Sequence, residues 1–210
     1  MRPSGDLTGI VLAGGRSRRM GVDKALLDVG GRPIIGRVLD ALVVSCAHVL
    51  VVAKDPSAYA GLGARVVLDP VPDHAPLVGL CAGLLAAPTA WVFAAACDLP
   101  FLAPAAVRAL AARAAGWDAV VPRVGGRWHP LHAVYARGVA ETLGRQAAAG
   151  ERSVWRALAS LRVREVGADE LAGADPTLRT LCNVNTPAAY RAARAMAVAD
   201  QERRDALPKR

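Results

Sequence analysis

The segment LAGGRSRRMGVDK, residues 12–24, sets three glycines, three arginines and a lysine directly behind the apolar run 7–11. Gly14 and Gly15 admit positive φ and carry no side-chain bulk, so the amides of residues 13–18 can turn inward as a concave anion nest. Arg16, Arg18, Arg19 and Lys24 add donors and charge, and a di- or triphosphate carries enough negative charge to answer them. A plain strand-to-helix turn needs a glycine but no basic cluster. Two familiar phosphate loops are excluded. Lys24 is followed by Ala25 and not by Ser or Thr, and Gly14-Gly15-Arg16 does not begin a GxGxxG. Two carboxylates follow apolar runs further on, Asp69 after ARVVL and Asp98 after WVFAAAC.

These residues need elements to bring them together. The apolar runs 7–12, 49–52, 65–68, 91–96 and 119–121 are short and bounded by Gly, Pro or Asp, which predicts buried strands. Helical spacing marks 34–44, 77–86, 104–115, 139–148, 154–161 and 187–199, with Pro33, Pro104 and Pro187 where a helix would begin. Strand and helix alternate, so the expected fold is α/β: a mostly parallel twisted sheet flanked by helices and joined by right-handed crossovers. Ligands of such sheets lie outside the carboxyl ends of the strands, where the basic loop, Asp69 and Asp98 all fall.

The 210 residues suit one domain, expected over residues 1–200 with a frayed tail over 201–210. Cys46, Cys81, Cys97 and Cys182 lack CxxC spacing and read as buried reduced thiols, which points to the cytoplasm. No apolar stretch reaches the roughly 18 residues of a membrane helix. Arg18-Arg19 is not an export signal, because Asp23-Lys24 and not an apolar run follows it. The net charge of +8 admits nucleic acid, but only nine residues are Phe, Trp or Tyr, and no basic stripe is interleaved with them.

Six segments together carry a resemblance. LAGGRSRRMGVDK is similar to the LAGGxSxRMGxDK signature of nucleotidyltransferases of the molybdenum cofactor guanylyltransferase (MobA-like) family. VVLDPVPDHAPLVGLCAGL, FAAACDLPFL, RWHPLHAVY, AGERSVW and NVNTPAAY resemble further segments of that family, in the family's order, across roughly residues 7–195.

The resemblance implies a Rossmann-like, GT-A-like fold and GMP transfer from GTP to the terminal phosphate of molybdopterin, with release of pyrophosphate. It places Leu12, Ala13, Gly14 and Gly15 against the nucleotide, Arg19 and Lys24 on the triphosphate, Asp98 on Mg²⁺ and Asp69 on guanine or ribose. Asn183, Asn185, Arg152 and His129 would meet the molybdopterin. Structural alternatives are a helix N-cap for Asp98, a turn before Pro70 for Asp69, bracing of the last helix for the two asparagines and a plain strand position for His129. It also implies a monomer that works without nucleic acid or membrane and hands its product to molybdenum insertion proteins and recipient molybdoenzymes.

One departure stands out: Ala53-Lys54-Asp55 follows the second strand, where relatives carry an asparagine, which puts a base contact there in doubt. A cytidylyltransferase of the same cofactor or a sugar-phosphate nucleotidyltransferase is the nearest alternative, although those show LAAG or LAxGxGTRL in the first loop. A non-catalytic GTP-binding or nucleic-acid-binding protein is the alternative of another class.

Overall fold

The computed structural model describes residues 4–13, 23–69 and 75–206. Strands β1 (Ser4–Leu12), β2 (Cys46–Ala53), β3 (Arg65–Leu68) and β4 (Trp91–Ala96) run parallel. Helices α1 (Ile34–Val43) and α2 (Pro76–Ala86) connect the first four strands, and α3 (Pro104–Ala111) follows β4. The chain continues through β5 (Ala119–Val124), β6 (Arg127–Trp128), β7 (His132–Ala136), α4 (Ala140–Ala148), α5 (Val154–Ala157), β8 (Val163–Val166), α6 (Ala168–Ala172) and α7 (Pro187–Asp205). The sheet has the order β3-β2-β1-β4-β7-β5-β6, with β8 also paired to β5. The expected α/β architecture is present, and β7 adds an antiparallel strand between the parallel β4 and β5.

Side chains alternate across each strand and so supply two cores. Leu7, Val11 and Phe93 pack under α1 and α3, while Ile10, Val92 and Ala94 pack under α2, α4 and α5. Helix α2 lies close on its face because of Gly83: a Cβ there would come within 2.5 Å of Ile10 Cδ1 and 3.1 Å of Val52 Cγ2. Helix α7 docks through Ala193 and Ala197 on Val29, Ile34 and Val184. It runs on to Asp205, into the stretch expected to fray from residue 201, and Gln201 there donates to Asp205 one turn on. Cys46 and Cys81 are buried as expected, but Cys182 is exposed, in the loop ahead of α7. Among the described residues no helix is long and apolar enough to cross a membrane.

His132, the first residue of β7, is sealed inside. Its ring stands edge-on to Phe93 at 5.3 Å, and its Nε2 lies 3.4 Å from Thr180 Oγ1, which accepts the Ala103 N–H. Burial, with His129 second, pushes its pKa from 6.5 down to about 3. Between those values the unfolded chain takes up a proton that the folded chain refuses, so this contribution is complete above the ordinary histidine pKa and declines as pH falls towards 3. At 1.36 kcal/mol per unit, about 2 kcal/mol is lost by about pH 5. The urea midpoint is therefore expected to fall from neutral pH to about pH 5, and His132→Leu to flatten that slope. An unchanged slope in the variant would exclude His132 as its source.

Candidate active site

Four parallel strands deliver their carboxyl ends to one edge. Backbone bonds fix the alignment: Ala13 N–H donates to Val52 O at 2.8 Å, Asp69 N–H to Ala53 O at 2.8 Å and Cys97 N–H to Leu12 O at 3.2 Å. Leu12, Ala13, Lys54, Asp69 and Asp98 therefore follow one another along the edge, in positions set by the ladder.

Lys24 opens a 3₁₀ turn, Lys24–Leu26, whose start is held by Asp23. One Asp23 oxygen accepts the Ala25 N–H at 3.0 Å, and the other accepts the Tyr59 hydroxyl at 2.7 Å. From this mount the Lys24 ammonium lies 3.3 Å from Asp98 Oδ2 and donates to Asn185 Oδ1 at 2.5 Å. Asp98 is buried, and burial raises its pKa while the neighbouring Lys24 pulls it back down. It caps no helix, because α3 starts only at Pro104 with Ala103 at its N-cap position. The far end of the chain is bound to the same spot: Val184 N–H donates to the Asp98 carbonyl at 2.9 Å.

Two strands away, the Lys54 ammonium sits 3.5 Å from Asp69 Oδ2, with the side chains 23% and 10% exposed. Gly79 brings the first turns of α2 against this pair; a Cβ there would lie 3.6 Å from Asp69 Oδ2 and 3.4 Å from Leu12 Cδ2. Lys54 was visible in the sequence only as a departure from a pattern. The ion pair could not be read from residues 15 apart in sequence that meet through adjacent strand ends.

The other residues assigned to an acceptor lie apart from this cluster. Asn183 is exposed, and Val184 between the asparagines turns into the core. His129 is half-buried, its N–H donates to Pro122 O, and burial, with Arg127 second, lowers its pKa. Arg152 Nη1 donates to the carbonyls of Ala147 and Glu151 at 2.8 and 3.1 Å. Arg152 borders a cavity of about 780 Å³ together with Arg123, Arg127, Trp128 and Trp155. The Arg123 guanidinium lies 5.4 Å from the Trp128 ring centre. Linear spacing hides this aromatic and basic grouping, because it is assembled from β5, the β5–β6 hairpin and α5.

Gly14, Gly15, Arg16, Arg18 and Arg19 lie outside the described residues. Among the described residues no three His, Cys, Asp or Glu side chains converge to hold a metal by themselves. The donor set at Asp98 suits a hard cation only as Mg²⁺ is commonly held, by one or two carboxylates with substrate phosphates and water completing the shell.

Residues 9–166 match the model of the MobA-like NTP transferase domain. A protein of Pelotomaculum thermopropionicum named as a probable molybdenum cofactor guanylyltransferase is 37% identical over 190 residues, which are 90% of this chain and 93% of that one. The molybdenum cofactor guanylyltransferase of Desulfosudis oleivorans is 36% identical over 86% of this chain and 90% of its own. Among solved structures, molybdopterin-guanine dinucleotide biosynthesis protein A of Archaeoglobus fulgidus superposes with a TM-score of 0.81 at 27% identity, covering 91% of this chain and 99% of that one. With the family model matched over residues 9–166 and relatives 36–37% identical over most of both chains, the chain belongs to the MobA-like NTP transferase family.

Proposed function

We propose that the protein transfers GMP from GTP to the terminal phosphate of molybdopterin. An oxygen of that phosphate attacks the α-phosphorus of GTP, the bond from the α-phosphorus to the bridging oxygen breaks, and pyrophosphate leaves with the electron pair. The observation that carries the reading is the junction of Lys24, Asp98 and Asn185 at the carboxyl edge of β1 and β4. A cation, a buried carboxylate and an amide meeting there support the reading in which a triphosphate bound after β1 reacts with an acceptor.

Lys24, with Arg19 and the Gly14-Gly15 amides, binds the triphosphate and stabilises the charge that builds on the leaving pyrophosphate. This is electrostatic catalysis by groups placed in advance, with no covalent intermediate on the protein. Leu12 and Ala13 pack against the nucleoside, and Asp69 receives the base. Asp98 holds the divalent cation, Mg²⁺ in this reading. Bound there, the cation would neutralise phosphate oxygens and orient the α-phosphate. Asn185, Asn183, His129 and Arg152 face the acceptor. The cavity beside Arg152 supports that side of the reading, because two indoles and three guanidiniums suit a planar ring system bearing a phosphate.

The test is formation of dinucleotide and pyrophosphate from molybdenum-loaded molybdopterin and Mg²⁺, with GTP and CTP in parallel. Product from GTP alone is expected. Product from CTP alone would keep the fold and the chemistry but overturn the base, and product from neither would overturn the acceptor.

A further inference from the structure

The ion pair at the ends of β2 and β3 has no part in phosphate chemistry as assigned above. Strands spaced by about 4.8 Å put Asp69, which follows β3, roughly 14 Å from Asp98, which follows β4 three strands away. Lys24 and Asp98 hold the triphosphate end in the proposed reading, so a nucleotide laid along the edge brings its base towards Lys54 and Asp69.

Guanine presents, side by side, an acceptor at O6 and donors at N1 and the 2-amino group. A lysine beside a carboxylate presents the complement: a donor next to a paired acceptor. Cytosine offers a donor at N4 but acceptors at N3 and O2, which would set two acceptors against the carboxylate. Asp69 alone would tolerate any base that carries an exocyclic amine. The adjacent ammonium removes that ambiguity, and the pairing holds the two side chains, both largely withdrawn from water, ready for the base.

We propose that Lys54 is a base-selecting residue of this chain: its ammonium, held against Asp69, donates to O6 of guanine while Asp69 accepts from N1 and the 2-amino group. This assignment rests on the guanine reading above. It also accounts for the departure at Ala53-Lys54-Asp55, because a side chain one position along supplies the base contact that the second strand otherwise lacks.

The test uses the full chain with GTP, 6-thio-GTP, in which a poorly accepting sulfur replaces O6, and ITP, which lacks the 2-amino group. Binding is followed by calorimetry and turnover by pyrophosphate release. The wild-type chain is expected to prefer GTP over 6-thio-GTP by about tenfold or more, the usual worth of one lost base contact. Lys54→Met is expected to abolish that preference while still preferring GTP over ITP, with the loss in KM and not in kcat. Asp69→Asn is expected to show the reverse pattern. An equal fall for GTP, 6-thio-GTP and CTP in Lys54→Met would make Lys54 a phosphate or structural residue and overturn the assignment, as would no change at all. Wild-type preference for CTP over GTP is a separate result: it would remove the guanine reading on which the assignment rests.

Discussion

Asp98→Asn is expected to lower the rate of dinucleotide formation about a thousandfold while GTP affinity changes far less, since placed charges of this kind are commonly worth 10²–10³ in rate. Asparagine keeps the shape and one acceptor oxygen but removes the charge that a hard cation requires. Folding should not suffer. Burial already works against the ionised form of Asp98, so a neutral amide of equal size relieves that cost. Single-turnover pyrophosphate release at saturating GTP and a range of Mg²⁺ concentrations, beside a thermal melt, separates chemistry from stability. A variant within tenfold of the wild-type rate would sink the assignment of Asp98 to the cation.

Lys24→Met should do damage of a different kind. Its ammonium touches both Asp98 and Asn185, so removing it weakens triphosphate binding, slows the reaction by about a hundredfold and leaves a buried carboxylate without its neighbour. Breaking a buried pair from one side commonly costs about 3–5 kcal/mol. Lys24 is 20% exposed, so water covers part of the loss and about 1–3 kcal/mol is the expected penalty. The double variant Lys24→Met/Asp98→Asn should recover that stability and none of the turnover. Denaturant unfolding of the two single variants and the double variant supplies the cycle, and additive losses would mean that the 3.3 Å contact does not couple the two residues.

The parts of this fold that the sequence announces are those with strong local signals. β4 is a continuous apolar run and β1 ends in one over residues 10–12 because both their faces are covered, and α3 and α7 begin on prolines. β8 announces nothing. Its VREV carries two charged residues that are half-buried or exposed and pairs only with β5 at the margin of the sheet. β6 is two residues long and exists only as the return of a hairpin after β5. β7 is five residues that run against β4, and a parallel pattern of strand and helix gives no reason to expect a reversal there.

The candidate site divides in the same way. Asp98 is legible because it follows a buried strand, and Lys24 because it closes a glycine-rich loop. Asn185 is legible only as part of a motif, since nothing local says that its amide meets Lys24. The grouping of Trp128 and Trp155 with Arg123, Arg127 and Arg152 has no linear trace, and neither has the contact of Lys54 with Asp69. Both arise where elements distant in sequence are brought together by the fold, and sequence distance carries no information about that.

The bond from Lys24 to Asn185 spans 161 residues, and Val184 is tied to the Asp98 carbonyl beside it. During synthesis, a ribosome that has extruded every strand of the sheet has still not supplied the segment that steadies the lysine. A chain cut before that segment would keep every described strand of the sheet and lose the Asn185 contact to Lys24. The contact between Lys24 and Asn185 thus makes the geometry of the lysine depend on residues from opposite parts of the described sequence, so the strands alone do not complete the junction.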